Sequence, residues 1–234
     1  MTKMKTAFLA AAVALMGSTV GAQAYTITTY EGAMNGSGFN TTNVNPFGAG
    51  APGASFTYNG PLNFSLIEGQ NTTPNGDLNS GFFTAADISG YAPIQTPGSA
   101  SQVVLHGIQV ADFSTLSSFL GSSASGGFYA WASWYSIDLG TLAAGTDLTI
   151  THDDGISLYE NGSQIGSTVS QATSAVTDNV TVAATGDIKL YYSRQNGSPS
   201  ILEVAVPEPV SMSLFGAGLI GMGLIRRRRA AKVG

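Results

Sequence analysis

The chain of 234 residues contains no cysteine, which excludes disulfides and thiolate metal sites. Burial or bound ions must hold whatever fold it adopts. Charge is sparse as well, at 10% of residues, and only nine side chains are basic. Seven of those nine stand at the two ends: Lys3, Lys5, Arg226, Arg227, Arg228, Arg229 and Lys232. Between residues 25 and 206 thirteen carboxylates face two cations, Lys189 and Arg194, for a net charge of −11 before termini. A surface of that sign repels phosphate backbones, so nucleic acid is excluded as an expected partner. Histidine is limited to His106 and His152, and neither lies in a recognisable nucleophile setting for a Ser-His-Asp triad. A phosphate loop, a dinucleotide fingerprint and a zinc motif are all missing. These absences point away from catalysis.

Long apolar runs are missing from the body and present only at the ends. Near the N-terminus, Lys3 and Lys5 precede the run from Ala7 to Met16, and Ala22-Gln23-Ala24 then offers small residues at Ala22 and Ala24. Those are the three parts of a secretory signal, a helix over residues 1–24 that is removed on export, so the body begins at Tyr25. At the other end Val206-Pro207-Glu208-Pro209 leads into Val210 to Ile225, sixteen residues without a charge, and then into Arg226 to Arg229. As a helix that apolar run spans about 24 Å, a little short of the roughly 30 Å hydrocarbon layer. The arginines resist entering lipid and stay on the cytoplasmic side, acting as a membrane stop that turns the body outward. Pro207 and Pro209 keep the stretch just outside the membrane stiff and non-helical, good geometry for a protease.

What the body has in plenty is turn-forming residues. Prolines 46, 52, 61, 74, 93 and 97, with many glycines and asparagines among them, break any helical period. Strands are expected at 25–30, 55–58, 62–67, 102–110 with a bulge at Gly107, 126–138, 147–151, 156–159, 179–182, 188–192 and 201–205. One short helix over 112–120, capped by Asp112, is expected, with a further helical turn within 85–91. Short strands spaced by turns such as Asn161-Gly162 and Asn196-Gly197 predict an all-β, antiparallel, jelly-roll-like sandwich over residues 25–205 with long loops. In the aromatic strand Tyr129, Trp131, Tyr135 and Ile137 share one face and should be core. Trp134 lies on the other face, where exposure for sugar stacking and burial at the rim are both open. His106 alternates with Val104 and Ile108 as a strand histidine, whereas His152 beside Asp153 is expected to be the more exposed.

Asp153-Asp154-Gly155 is the body's most informative stretch. Adjacent carboxylates in a turn repel unless a cation or donors compensate, so the pair is either a Ca²⁺ site or a tight hydrogen-bonded turn. Neighbouring acids do not face each other across a cleft as a glycosidase requires.

Two resemblances follow. The tail, with Pro207-Glu208-Pro209, a short apolar segment and the arginine cluster in order, resembles the PEP-CTERM sorting signal. That implies export machinery and a membrane-embedded exosortase as partners, transient residence in the inner membrane, and delivery to the cell surface or exopolysaccharide matrix. Asp153-Asp154-Gly155, the alternation at Ile156 and Leu158, the Asn161-Gly162 turn and the run from Gly186 to Tyr192 resemble the protective-antigen-type β-sandwich domain. In sugar-binding members of that family paired aspartates hold Ca²⁺, so the resemblance carries Asp153 and Asp154 over as metal ligands; Asn196 is one candidate for a third. The expectation is therefore an exported, non-enzymatic structural or interaction protein. The alternatives are a Ca²⁺-dependent glycan-binding or adhesive module and, less favoured, an extracellular hydrolase or an ice-binding protein, for which no regular Thr-x-Thr array stands out.

Overall fold

The computed structural model describes residues 23–33, 41–48, 51–66, 82–94, 104–105, 108–109, 113–121, 131–169, 174–195 and 200–206. Along the chain the strands are β1 (Tyr25–Ala33), β2 (Gly53–Tyr58), β3 (Asn63–Leu66), β4 (Ile88–Ile94), β5 (Val104–Leu105), β6 (Ile108–Gln109) and β7 (Trp131–Leu142). They continue as β8 (Asp147–His152), β9 (Gly155–Glu160), β10 (Ser163–Val169), β11 (Val176–Thr181), β12 (Gly186–Gln195) and β13 (Ser200–Ala205). A seven-stranded sheet has the order β10-β9-β12-β7-β1-β2-β4, a four-stranded sheet the order β11-β8-β13-β3, and β5 pairs with β6. All of these pairings are antiparallel. The expected signal helix and membrane helix lie outside the described residues, and among the described residues no helix is long and apolar enough to cross a membrane.

Period-two alternation builds the core between the two sheets. Ile27, Ile137, Leu190 and Leu158 lie abreast across the larger sheet, and all four are buried together with Leu148, Ile150, Phe64 and Leu202 of the smaller one. Phe56, Phe83 and Phe119 close the core with ring centroids 5.1–6.0 Å apart. The inward face of Tyr135 and Ile137 is core, as expected.

The expected elements differ from the structure at four places. Within the run 102–110 the described residues form a tight antiparallel pair, β5 and β6, in which Leu105 faces Ile108; His106 and Gly107 lie outside the described set. The helix is α1 (Leu116–Leu120), and its cap is Thr115, whose hydroxyl accepts from Ser118 N, in place of Asp112. Only Ala85–Asp87 of the segment 85–91 is helical, and β4 follows at once. Strand β10 was not expected at all. β4 contains Gly90 and Pro93, β10 contains Gly166, and each glycine has positive φ beside a register shift. Both strands are sheet edges, where a proline or a bulge breaks no ladder on the open side.

Strand direction separates two poles. Tyr25 pairs with Tyr58, and Val204 N donates to Leu62 O, so both ends of the body meet the 58–62 turn at one pole. Asp153 N donates to Ile201 O at the start of β13, about 15 Å along the strand from its end. The Asp153-Asp154 corner therefore occupies the opposite pole.

Candidate functional site

The sorting tail follows the last described strand. β13 is an inner strand, bonded to both β8 and β3, and Val206 packs against the core directly after its last residue, Ala205. Pro207, Glu208, Pro209 and Arg226 to Arg229 lie outside the described residues, as does Ala22. Ala24 is exposed immediately before buried Tyr25. In sequence, the four residues Val206 to Pro209 separate the end of β13 from the apolar run that begins at Val210.

The paired aspartates form the corner at which the chain leaves the small sheet at His152 and enters the large one at Gly155. Asp154 turns that corner with φ 69°, a left-handed conformation that aspartate tolerates better than most residues. Its N–H donates to Asp153 Oδ1 at 3.0 Å. Both aspartates are buried, and His152, expected to be exposed, is fully buried. Strand alternation places the imidazole inward, where Nδ1 meets Asp154 O at 2.9 Å and Nε2 meets Asp178 Oδ2 at 3.1 Å.

Beside the corner lies a group of buried polar residues that the sequence reading passed over. Glu31, Ser133 and Arg194 stand abreast on β1, β7 and β12, all on the inner face and all buried. Ser133 Oγ lies 3.5 Å from Glu31 Oε1, Arg194 Nε donates to Ser200 Oγ at 3.0 Å, and the guanidinium carbon sits 5.3 Å above the Phe82 ring. Burial pushes the Tyr192 hydroxyl far above its ordinary range; Asp154 and Asp153 push it further, and Arg194 pulls it back. Burial likewise raises Tyr135, with Glu31 adding to the rise and Arg194 opposing it. The guanidinium therefore acts on both sides of this polar group. One clue was present in the sequence: Arg194 is one of two cations in the entire body.

Calcium takes about six to eight oxygen ligands. Among the described residues no group of three or more His, Cys, Asp or Glu side chains could hold a metal ion. Asp153 accepts the Asp154 backbone N–H. Asn196 lies outside the described residues.

On the outer face of the large sheet, Tyr30, Trp134, Tyr191 and Tyr159 form a row with successive centroids 5.9, 5.5 and 5.3 Å apart. Trp134 is buried beneath the segment 41–48: its Nε1 donates to Thr42 O at 3.0 Å, and the Thr41 hydroxyl bonds to that of Ser193. Trp131 opens β7, with its side chain outside the described set, and His106 lies outside it as well. The outer face of the small sheet carries a short hydroxyl grid. Thr149 bonds Asn179, Thr151 bonds Thr177 and Thr181 bonds Asp147 at 2.6–2.9 Å. Thr149 and Thr151 are a Thr-x-Thr pair that the sequence reading did not single out.

An acidic β-sandwich whose last inner strand runs directly into a sorting tail defines the class. Residues 205–229 match the PEP-CTERM protein-sorting motif. In fold the chain is similar to a PA14 sugar-binding domain from an RTX adhesin, at 16% identity and TM-score 0.46, covering 79% of this chain and 89% of that one. It is also similar to the PA14 domain of the MpAFP antifreeze protein, at 16% identity and TM-score 0.38, covering 77% and 80%. These are PA14 domains of other proteins and not protective antigen itself. No curated protein matches the chain.

Proposed function

We propose that the chain is an exported, non-enzymatic protein delivered to the cell surface or exopolysaccharide matrix after an exosortase removes its C-terminal segment. The observation that carries this reading is the sorting motif at residues 205–229, which starts on the last residue of β13. A cut beyond Val206 takes nothing from either sheet, so the body survives release whole. While the tail is still in the membrane, both chain ends lie at the near pole and the Asp153-Asp154 corner faces outward. The partner class we infer is a neutral polysaccharide, because a body charge of −11 repels acidic polymers.

Fractionation of cells with and without exosortase activity tests the reading. The expected result is body in the surface or matrix fraction when the enzyme is present, and a larger membrane-bound form when it is absent or when Pro207→Ala and Glu208→Ala are combined. An unchanged distribution in both cases contradicts it.

A further inference from the structure

We propose that one row of side chains across the outer face of the large sheet, Thr57, Thr26, Asp138, Lys189 and Tyr159, is the surface that grips a neutral polysaccharide chain; the inference rests on the polysaccharide partner proposed above and deepens it. The ladders set these residues abreast on β2, β1, β7, β12 and β9. Alternation turns them outward, since the residues beside them, such as Ile27 and Ile137, fill the core. None of the five is buried. Lys189 is the one exposed Lys or Arg of residues 25–206, because Arg194 is buried. Among the described residues its ammonium forms no hydrogen bond or ion pair, although Asp138 stands beside it, and the hydroxyls of Thr26, Thr57 and Tyr159 are likewise unengaged. The outer face of the small sheet is the contrast, for there Thr151 bonds Thr177 and Thr181 bonds Asp147.

Neighbouring strands lie about 4.8 Å apart, close to the advance of one sugar along an extended chain, so the row offers one contact per sugar. Lys189 donates and Asp138 accepts, a pair that suits vicinal hydroxyls, while Thr26 and Thr57 do either and the Tyr159 ring gives a pyranose a face to stack on. The Asp138 carboxylate is fixed by the Gly140 N–H at 2.8 Å. Tyr159 meets Tyr191 edge-on at 5.3 Å, and Tyr191 stacks on Trp134, so the platform is set before anything binds. A protein partner needs apolar anchors, and the exposed large hydrophobics among the described residues, Val44 and Val176, lie outside the row. An acidic polymer meets the body charge of −11.

Affinity electrophoresis of the exported protein tests this, with mobility in native gels containing dextran, hydroxyethylcellulose or galactomannan compared with mobility in plain gels, and alginate as the acidic control. The wild type should be retarded by at least one neutral polymer, equally in Ca²⁺ and in EDTA, and not by alginate. Tyr159→Ala should weaken the affinity about tenfold and Lys189→Gln about fivefold, while Thr151→Ala on the small sheet leaves it unchanged. Lys189→Gln changes an exposed side chain and keeps the fold, so it decides alone should Tyr159→Ala unfold. Equal retardation of the wild type and both variants overturns the row and leaves the polysaccharide reading standing. Retardation that needs Ca²⁺, or that alginate also produces, overturns the row too, and a wild type that moves freely through every neutral gel overturns both.

Discussion

Tyr58, Tyr135 and Tyr192 are buried, and the Tyr58 hydroxyl donates to Pro61 O. Burial, aided by Asp87 and Tyr25, pushes Tyr58 up to about 12 from its ordinary 10. Since the folded protein favours the neutral phenol, the stability this contributes is complete below pH 10 and is lost as pH rises from there through about 12. Tyr135 and Tyr192 act in the same direction. An alkaline titration should therefore show these tyrosines ionising together with loss of the β circular-dichroism signal. Tyrosinate absorbance that reaches its full value while the signal is intact contradicts the buried placement. At this scale the candidate site was half legible. Asp153 and Asp154 announce themselves as neighbours in sequence, but Glu31, Ser133 and Arg194 come abreast only because β1, β7 and β12 lie side by side, and no local spacing encodes that. His152 was misplaced because a position next to a turn reads as exposed, whereas its strand parity directs it into the core.

At the scale of elements, inner strands were readable because both of their faces follow the period-two pattern. The edges β4 and β10 hide behind Gly90, Pro93 and Gly166, which interrupt the alternation, and Pro93 is tolerated because its strand is an edge. The Asn161-Gly162 turn was legible from two letters, and it holds φ 49° and 79°, the signature of a two-residue hairpin. Its side chain also reaches the next connection, where Asp187 N donates to Asn161 Oδ1 at 3.1 Å. A Cβ placed on Gly186 would come within 2.1 Å of that amide. Gly186→Ala should therefore destabilise the body by about 1–3 kcal/mol, read as a lower urea midpoint with unchanged slope; an unchanged midpoint would show that the hairpin tip yields freely. Leu202→Ala, in the fully buried centre of β13, should cost about 2–5 kcal/mol by the same measurement. A cost well under 1 kcal/mol would mean that β13 is not an inner strand.

For the whole molecule the decisive feature is where the fold ends relative to the tail. β13 is the last described strand and sits between β8 and β3, so the small sheet cannot close until residues 200–205 have been delivered. A chain of residues 25–206 should unfold cooperatively on heating, and one ending at 199 should not; equal behaviour of the two would remove β13 from the core. The sorting motif at residues 205–229 was legible in the sequence because the Pro-Glu-Pro triplet, hydrophobic length and arginine placement are local signals. The pole at which the body's ends emerge was not legible, since it depends on strand direction in both sheets. The measurement that bears most directly on the account is the intact mass of the form recovered from the cell surface or matrix. The account predicts a product that begins at Tyr25 and ends within Val206 to Pro209, and a product that retains Arg226 to Arg229 contradicts it.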